Sequence, residues 1–481
     1  MVLSLAIMKT RLALFSLFLL LPLTLSGCVS FTDKPINASV TASGLEARTL
    51  TDSGLREYFK ANLKQDGSAW PPAKWDLTRL MLVAFYYHPD LDVARAELGF
   101  AEAGSIAAGM RPNPTVSFSP QFNSNALASV SPWTMGWSLN VPIETAGKRG
   151  YRLDQAKHQT DAARFKLLNT AWQIRRRVRV AFLAFYLAQT KRDALQKQAA
   201  IQDRLVDLLA HRLSAGAVSQ PEVTLAHLAL QQSQLLLAET QREHAEAKVL
   251  LASALGLPIQ ALDGIGFSFI AFSRLPPDES LDVDRLRPLA LVSRADILKA
   301  LAEYDASQSA LQLEIAKQYP DIQMKPGHQW DQGENKWSLG VSLTLPILNQ
   351  NEGPIAQAEA NRKLAAATFL ALQNKTMSDI DQTVIGFRMA SNKLSIAEAL
   401  LASREKQQRA VTAQFNAGET DRLALTSAEV ELISIQLARL EAWNRAQQAL
   451  GLVEDALQRP LNAEVGHPSP GSSPRPEIAS K

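Results

Sequence analysis

A long internal repeat constrains the fold of this chain more than any other sequence feature. The segment Trp133–Ile143 reads WTMGWSLNVPI and Trp337–Ile347 reads WSLGVSLTLPI, so that Gly136 and Gly340 lie 204 residues apart (340 − 136). Similar offsets relate His88-Pro-Asp90 to Arg294-Ala-Asp296, Asn113-Pro114 to Tyr319-Pro320, and Ala215-Gly216 to Ala417-Gly418. Self-similarity over such a period indicates a duplicated structural unit. We therefore predict one unit that occurs twice in the chain.

The domain boundaries follow from interruptions in this pattern. We predict a first repeat over residues 76–256, a linker with Pro and Gly over 257–288, and a second repeat over 289–460. Residues 461–481 are rich in Pro, Ser and Gly and cannot bury a core, which predicts a disordered tail.

Each repeat contains two segments in which apolar and polar residues alternate. We predict strands over about 115–123 and 133–142, and again over about 321–330 and 337–346. The polar positions that would share one strand face are Ser117, Ser119, Thr134, Ser138, Ser338, Ser342 and Thr344. This alternation is typical of a membrane β-barrel, and equally of a soluble sheet with one buried face. Four strands cannot close a membrane barrel, which needs about eight, so the membrane interpretation requires several chains.

The rest of each repeat has the composition of long helices. Tyr151 to Ala215 contains neither Gly nor Pro and would be about 98 Å long as one helix. Val430, Ile433, Leu437 and Leu440 follow the 3-4-3 spacing of a coiled coil, and an aromatic content of 7% suits narrow helix seams. Ala215-Gly216 and Ala417-Gly418 interrupt these runs, which predicts helical hairpins that turn near residues 216 and 418.

The N-terminus has the features of a secretion leader. Lys9 and Arg11 precede an apolar run from Leu12 to Leu25, which is shorter than the roughly 18–20 residues of a membrane-spanning helix. Residues 1–27 are therefore predicted to be a signal peptide that starts at Met1 or Met8. The end of the run, Leu-Ser-Gly-Cys28, resembles a bacterial lipobox, which would make Cys28 a lipidated residue and 28–75 a lipidated extension. The alternative is an ordinary small-residue cleavage site.

Several classes of function lack support in the sequence. The only cysteine is Cys28, so disulfide frameworks, zinc-cysteine clusters and thiol nucleophiles are excluded from the body of the chain. The seven histidines have no metal-ligand spacing, and no catalytic motif occurs, so we predict no enzyme, cofactor or metal site. A formal charge of +3 is not typical of a nucleic-acid-binding chain. The basic run Arg175 to Arg179 is predicted to be solvated or paired between helices.

The order of these features resembles the TolC-like outer-membrane factor family, the exit ducts of tripartite efflux pumps and type I secretion. The resemblance rests on the duplication, the Ala-Gly hairpin turns, and the strand ends Val141-Pro142-Ile143 and Leu345-Pro346-Ile347. The segments Gly109–Pro114 and Glu144–Arg149 look like the heavy-metal branch, which serves cobalt-zinc-cadmium-type pumps.

The resemblance implies a mainly α fold with a small β part, in which a homotrimer forms a 12-stranded β-barrel continued by a periplasmic α-helical barrel. It also implies an outer-membrane channel, lipid-anchored and barrel-inserted, that passively conducts heavy-metal cations. Its partners would be outer-membrane lipid, a periplasmic adaptor protein and an inner-membrane RND-type pump. Two alternatives remain: a non-conducting periplasmic coiled-coil lipoprotein scaffold, or the same channel type serving drugs or type I protein secretion.

The resemblance assigns roles to particular positions. The polar strand residues would line the pore, and the hairpin turns would form the periplasmic tip that contacts the adaptor. The predicted tip residues are Ala215, Gly216, Glu222, Ala417, Gly418, Glu419 and Asp421. Family members often carry acidic residues six and nine positions after the second glycine, where this chain has Ala424 and Ser427. Glu222, or Glu419 and Asp421, are the candidate substitutes.

Overall fold

A computed structural model describes residues 29–63, 70–127, 129–277 and 281–461 of the chain. The predicted signal peptide, Cys28 and residues 462–481 of the predicted tail lie outside these ranges. The described residues divide into two compact units, of which the first ends at Ala47 and the second begins at Arg48. Within its described residues, the first unit contains helix α1 (Ala38–Glu46). The following paragraphs concern the second unit.

The second unit repeats one order of elements. After α2 (Ser53–Leu63), its first half contains α3 (Leu77–Tyr87), α4 (Pro89–Gly109), β1 (Thr115–Phe122), β2 (Trp133–Ile143), α5 (Lys148–Ser214) and α6 (Gln220–Leu255). Its second half contains α7 (Val283–Ser293), α8 (Ala295–Ala316), β3 (Ile322–Asp331), β4 (Glu334–Leu343), α9 (Glu352–Asn416) and α10 (Arg422–Leu457). The long helices have 67 and 65 residues, and each returning helix has 36. The prediction of a mainly α fold with a duplicated unit is confirmed.

Two helices precede the strands in each half, a detail that the sequence analysis does not predict. His88 ends α3 and begins α4, and Arg294 takes the same position between α7 and α8. Pro89 occupies the first turn of α4, where proline's missing N–H costs no intrahelical hydrogen bond. The equivalent residues His88 and Arg294 are both buried, so the same kink is built from different side chains.

Two predicted boundaries need correction. The fourth strand runs from Glu334 to Leu343, not over 337–346, because Gln332 and Gly333 both have positive φ and form a tight turn directly after β3. The linker predicted over 257–288 ends earlier, since Asp282 caps a helix that begins at Val283.

The four strands form one antiparallel sheet in the order β1-β2-β3-β4. The two strand pairs are far apart in sequence, yet β2 pairs with β3 along most of its length, from Thr134 opposite Asp331 to Ile143 opposite Ile322. This pairing joins the two repeats into one sheet. Strands β1 and β4 occupy its two edges.

The hydrophobic core lies where the two helical hairpins meet the linker. In one cluster, Phe182 of α5 packs with Leu251 of α6 and Phe272 of the linker. In a second cluster, Phe387 of α9 packs with Leu450 of α10. Burial of such side chains against neighbouring elements contributes roughly 1.5–3 kcal/mol each to the stability of the fold.

Helix α9 is largely uncovered in a single chain. Of its 65 residues only five are buried: Thr376, Ile380, Val384, Phe387 and Leu394. Apolar residues that a helix of this length leaves uncovered in its own chain are available to contact another surface. Within the described ranges, no helix is both long and apolar enough to cross a membrane.

Candidate functional site

One face of the sheet carries small polar side chains in rows that cross all four strands. Ser117 pairs with Ser138, Ser138 with Gly327, and Gly327 with Ser338. Because residues directly opposite each other in a sheet point to the same side, these positions share one face. We call it the polar face.

The polar face includes most of the strand positions that the sequence analysis selected. Ser119, Thr134 and Ser342 belong to it through their pairing with Gly136, Asp331 and Gln323. Thr344 is the exception, because β4 ends at Leu343 and Thr344 follows it outside the sheet. The pore-lining role of these residues stays a prediction.

The opposite face, which we call the apolar face, is exposed. Trp337 is 75% exposed, Leu339 66% and Val116 72%. Aromatic rings pack with each other on this face: the Trp137 and Trp337 centroids are 6.3 Å apart and those of Phe122 and Trp133 are 5.0 Å apart. An exposed apolar surface rimmed with aromatic rings is typical of a site that contacts lipid or another protein.

Charged residues gather at the turn between β3 and β4. The ammonium group of Lys336 lies 2.8 Å from a carboxylate oxygen of Asp331 and 4.0 Å from one of Glu334. The hydroxyl of Thr134 donates a 2.8 Å hydrogen bond to the other Asp331 oxygen. These bonds attach the beginning of β2 to the turn between β3 and β4.

A buried lysine holds the other end of the sheet to the helices. The ammonium group of Lys148 donates hydrogen bonds of 2.6 Å to the Tyr319 carbonyl and 2.7 Å to Asp321 Oδ1. Burial disfavours the charged form of Asp321, but the hydrogen bonds from Lys148 and Thr145 outweigh it and lower the pKa of Asp321. The first repeat is thereby attached to the second at the base of the strands.

Both helical hairpins turn at a glycine in the left-handed region. Gly216 has a φ of 70° and Gly418 a φ of 78°, values that other residues adopt only with strain. The Ala217 N–H donates to the Arg212 carbonyl at 2.8 Å, and the Glu419 N–H donates to the Gln414 carbonyl at 2.9 Å. These are the bonds of a Schellman motif, which satisfies the last carbonyls of a helix. We call the residues around these two turns the tip.

An ion pair joins the two hairpins at the tip. Arg212, near the end of α5, donates a 2.9 Å hydrogen bond from Nη1 to Asp421 Oδ2. Asp421 is also the N-cap of α10, because its Oδ1 accepts from the Ala424 N–H at 3.0 Å. The cap hydrogen bond and Arg212 together lower the pKa of Asp421. Of the predicted tip residues, Asp421 is thus bound to the other hairpin, and Asp421, Glu222 and Glu419 are all exposed.

The basic run on α5 is paired with acidic residues, as the sequence analysis suggests. Arg175 and Arg179 both contact Glu454, at 3.5 Å and 3.4 Å. Arg176 contacts Asp455 at 2.9 Å, and Arg177 contacts Asp90 at 2.6 Å. Arg179 and Glu454 are only 6% and 3% exposed. Burial lowers the pKa of Arg179, while the charge of Glu454 opposes that shift. The run therefore joins the first repeat to α10 of the second.

The described side chains offer no metal centre: no group of three or more His, Cys, Asp or Glu residues lies close enough together to hold an ion. His88 is buried between α3 and α4, where burial lowers its pKa, and its Nδ1 accepts from the Asp90 N–H at 3.2 Å. This hydrogen bond fixes the start of α4, which gives the buried His88 a structural role.

Comparison with known proteins relates the chain to one family. The sequence pattern of the outer membrane efflux protein family matches residues 84–257 and again residues 286–457. The two matches fall on the two structural repeats. The chain belongs to this family. It is an outer membrane efflux protein, and the predicted resemblance to the TolC-like outer-membrane factors is confirmed.

Two curated relatives span most of the chain. The cobalt-zinc-cadmium resistance protein CzcC of Cupriavidus metallidurans is 26% identical over 381 residues, which cover 77% of this chain and 87% of CzcC. The pyoverdine export outer membrane protein OpmQ of Pseudomonas aeruginosa is 23% identical over 471 residues, or 89% of this chain and 94% of OpmQ. The similarity to CzcC agrees with the predicted resemblance to the heavy-metal branch.

Solved structures share the fold. The Campylobacter jejuni CmeC outer membrane channel superimposes with a TM-score of 0.65 at 14% sequence identity, covering 89% of this chain and 93% of CmeC. At this level of identity the likeness concerns the fold alone. The strands, the long helices and their duplication have counterparts in a known outer membrane channel.

The repeating surfaces have a local sequence pattern, whereas the partners of the charges that join the repeats do not. Lys148, Arg212 and Arg179 each bind a group more than 150 residues away in sequence. Each arginine or lysine has the same local sequence signature as a solvated charge. Only the pairing of β2 with β3 and of α5 with α10 brings the partners together.

Proposed function

We propose that three copies of this chain form one outer-membrane channel, which completes a tripartite efflux pump and conducts its substrate passively. The pump would lie in the inner membrane and deliver substrate through a periplasmic adaptor that contacts the tip. The polar face would line the lumen, and the apolar face would contact outer-membrane lipid. Acylated Cys28 would add a lipid anchor.

The uncovered apolar face of a sheet with two open edges carries this proposal. Strands β1 and β4 leave their outer hydrogen-bonding groups without a strand neighbour in the sheet order. An open edge with exposed apolar residues is a template for further strand pairing. Pairing β4 with β1 of the next copy continues the antiparallel order, and three copies would supply 12 strands. At about 4.8 Å between strands and a tilt of about 40°, such a barrel is about 24 Å across.

The helices support the same arrangement. Within one chain α9 packs against α8 and α10, while α6 packs against α5 and α3. The exposed apolar residues of α9 include Ile385, Met389, Ile396 and Leu400, whose 4-7-4 spacing places them in one stripe. Helix α6 exposes a second stripe that includes Leu235 and Leu250. Two such stripes at opposite edges of a chain suit a head-to-tail ring.

The two stripes lie at matching heights above the tip. The Arg212–Asp421 pair holds both hairpin ends together, so distance along each helix measures height. Leu400 lies about 24 Å from the tip end of α9, and Leu235 lies about 23 Å from the tip end of α6. The corresponding distances are about 46 Å for Ile385 and about 45 Å for Leu250. Apolar residues of one copy would therefore meet apolar residues of the next.

Heavy-metal cations are the proposed substrate class. Similarity to CzcC, which is named for cobalt-zinc-cadmium resistance, supports it. Similarity to OpmQ, which is named for pyoverdine export, favours a different cargo on the same channel architecture. In either case the pump and adaptor, which first bind the substrate, would carry most of the selectivity.

The competing function is a non-conducting scaffold in which another protein covers the apolar face. Adjacent residues of β4 distinguish the two, because Leu339 and Ser338 lie on opposite faces. Leu339→Arg would place a charge in lipid at a cost of about 2–4 kcal/mol near the bilayer centre, and should abolish outer-membrane assembly. Ser338→Arg, the matched control, would point into the lumen and should assemble normally.

Membrane fractionation and heat-modifiable mobility on gels provide the measurement. Assembly of both variants at the normal level would contradict the lipid-facing assignment. Loss of assembly in both variants would show that β4 tolerates no arginine on either face. The assay would then not separate a lipid-facing side from a lumenal side.

A further inference from the structure

Fixed charge is scarce on the strands. Strands β1 and β2 contain no Asp, Glu, Lys or Arg. Strand β3 contributes Lys325 and Asp331, and β4 contributes Glu334 and Lys336. The fixed charge on the strands therefore consists of four side chains per copy.

Three of these four charges form one cluster at the turn between β3 and β4. Lys336 pairs with Asp331 at 2.8 Å and approaches Glu334 at 4.0 Å. Lys325 lies six residues before Asp331 and four residues before Gln329, the partner of Lys336, which is about 20 Å and about 14 Å along an extended strand. Both separations exceed the Debye length of about 8 Å at physiological ionic strength, so Lys325 acts independently of the cluster.

Lys325 lies on the polar face. It pairs with Gly340 of β4 and lies two residues from Gln323 and from Gly327, so these three residues of β3 point to the same side. Gly327 pairs with Ser138 and Ser338 on the polar face. The side chain is exposed, and it takes part in none of the ion pairs formed by the described residues. The opposing Gly340 has no side chain that could shield or neutralise it.

We propose that Lys325 determines the charge selectivity of the channel. The inference rests on the proposed function, because three copies would place three Lys325 side chains at one height in the lumen. A lysine side chain reaches about 6 Å from its backbone, so in a barrel of about 12 Å radius each ammonium group lies within about a Debye length of the axis. The ring attracts anions and repels cations at that height.

This ring restricts the form in which a metal substrate crosses the barrel. Repulsion grows with the charge of the permeating ion, so a free divalent cation is disfavoured more than K⁺. A neutral or anionic metal complex passes the ring more readily. The sheet then favours complexed metal, or an anionic organic cargo, over the hydrated ion.

Reversal potentials of single channels in a KCl gradient test the proposal. The native protein should conduct Cl⁻ in preference to K⁺. Lys325→Gln should lower the Cl⁻/K⁺ permeability ratio about threefold or more, and Lys325→Glu should bring it below one. Lys325→Arg retains the charge and should retain the native ratio.

A second test changes the charge at position 325 by chemical modification of one cysteine variant. Lys325→Cys is made in a Cys28→Ser background, in which it is the only thiol. A cationic methanethiosulfonate should restore the anion preference, and an anionic one should reverse it. Val341→Cys is the matched control, because Val341 pairs with Met324 on the apolar face at nearly the same height.

The outcomes separate this inference from the proposed function. Discrete conductance with an unchanged permeability ratio in Lys325→Glu would overturn the charge ring and leave the channel intact. If no conductance occurs, thiol labelling from the outside of intact cells decides. Selective labelling of Lys325→Cys over Val341→Cys would support a lumenal lysine, whereas equal labelling would contradict both the ring and the channel.

Discussion

At the residue scale, the most consequential contacts are those between charges of the two repeats. Arg179 is buried against Glu454, donates a 3.0 Å hydrogen bond to the Gln447 carbonyl, and lies over the Phe272 ring. Gly451 completes this site, since a Cβ there would collide with the guanidinium group. The sequence shows only a basic run on a helix, because nothing in the local pattern of α5 reveals the acids of α10.

We predict that Glu454→Gln destabilises the fold. The substitution leaves the buried Arg179 guanidinium without its counterion, which should lower the free energy of unfolding by about 3 kcal/mol. Thermal unfolding followed by circular dichroism measures the change. The control is Glu359→Gln, which removes an exposed partner of Lys363 and should cost less than about 1 kcal/mol. Equal melting temperatures for both variants would refute a structural role for the buried pair.

The pH dependence of the tip follows from Asp421. Its pKa is lowered in the folded state by the Ala424 N–H and by Arg212, so the folded state favours the carboxylate. The contribution to stability is therefore fully present above the unfolded pKa, about 3.9, and is lost as the pH falls through the lower folded pKa. Hydrogen exchange of amides near residues 412–424 should stay slow, after correction for intrinsic rates, at pH 5–7 and become faster only in more acidic solution.

Asp421→Asn separates the two roles of this residue. Asparagine keeps the N-cap acceptor but removes the charge that binds Arg212. We expect faster amide exchange at the tip and no acid-dependent change below pH 4. An unchanged exchange profile would mean that the ion pair does not hold the hairpins together.

At the element scale, the alternation of polar and apolar residues predicts the strands and their faces, because a sheet face depends only on local parity. The position of β4 was not predictable from parity, since the Gln332-Gly333 turn sets where the strand begins. Helices α3, α4, α7 and α8 were missed for a related reason. Their helical signals are short, and the break between each pair depends on His88 or Arg294 in a buried position.

Contact between helices of different copies gives the prediction at this scale. Cysteines at Leu400 of α9 and Leu235 of α6, in a Cys28→Ser background, should form disulfides between copies on mild oxidation. The predicted product is a ladder of dimers and trimers on denaturing gels. Leu400→Cys with Val93→Cys is the control, because Val93 lies on α4, a helix that ends at the sheet and not at the tip. Crosslinks confined to the control pair would contradict the proposed ring.

At the scale of the whole molecule, most of the fold prediction rests on the internal duplication. A repeat in which two alternating segments are followed by a long helical run that turns at Ala-Gly leaves few arrangements other than two strand pairs with two helical hairpins. The sequence could not show that β2 pairs with β3, or that α9 remains uncovered in one chain, because both depend on how the repeats face each other. Those two facts support the proposed multi-chain assembly.

The central claim is that three chains close one conducting barrel. Native mass determination of the detergent-purified protein, with single-channel recording of the same sample in a planar bilayer, tests it most directly. We predict a trimer that gives discrete conductance steps. A monomer that stays in solution without detergent when Cys28 is replaced by Ser, and that gives no steps, would contradict the claim and favour the scaffold.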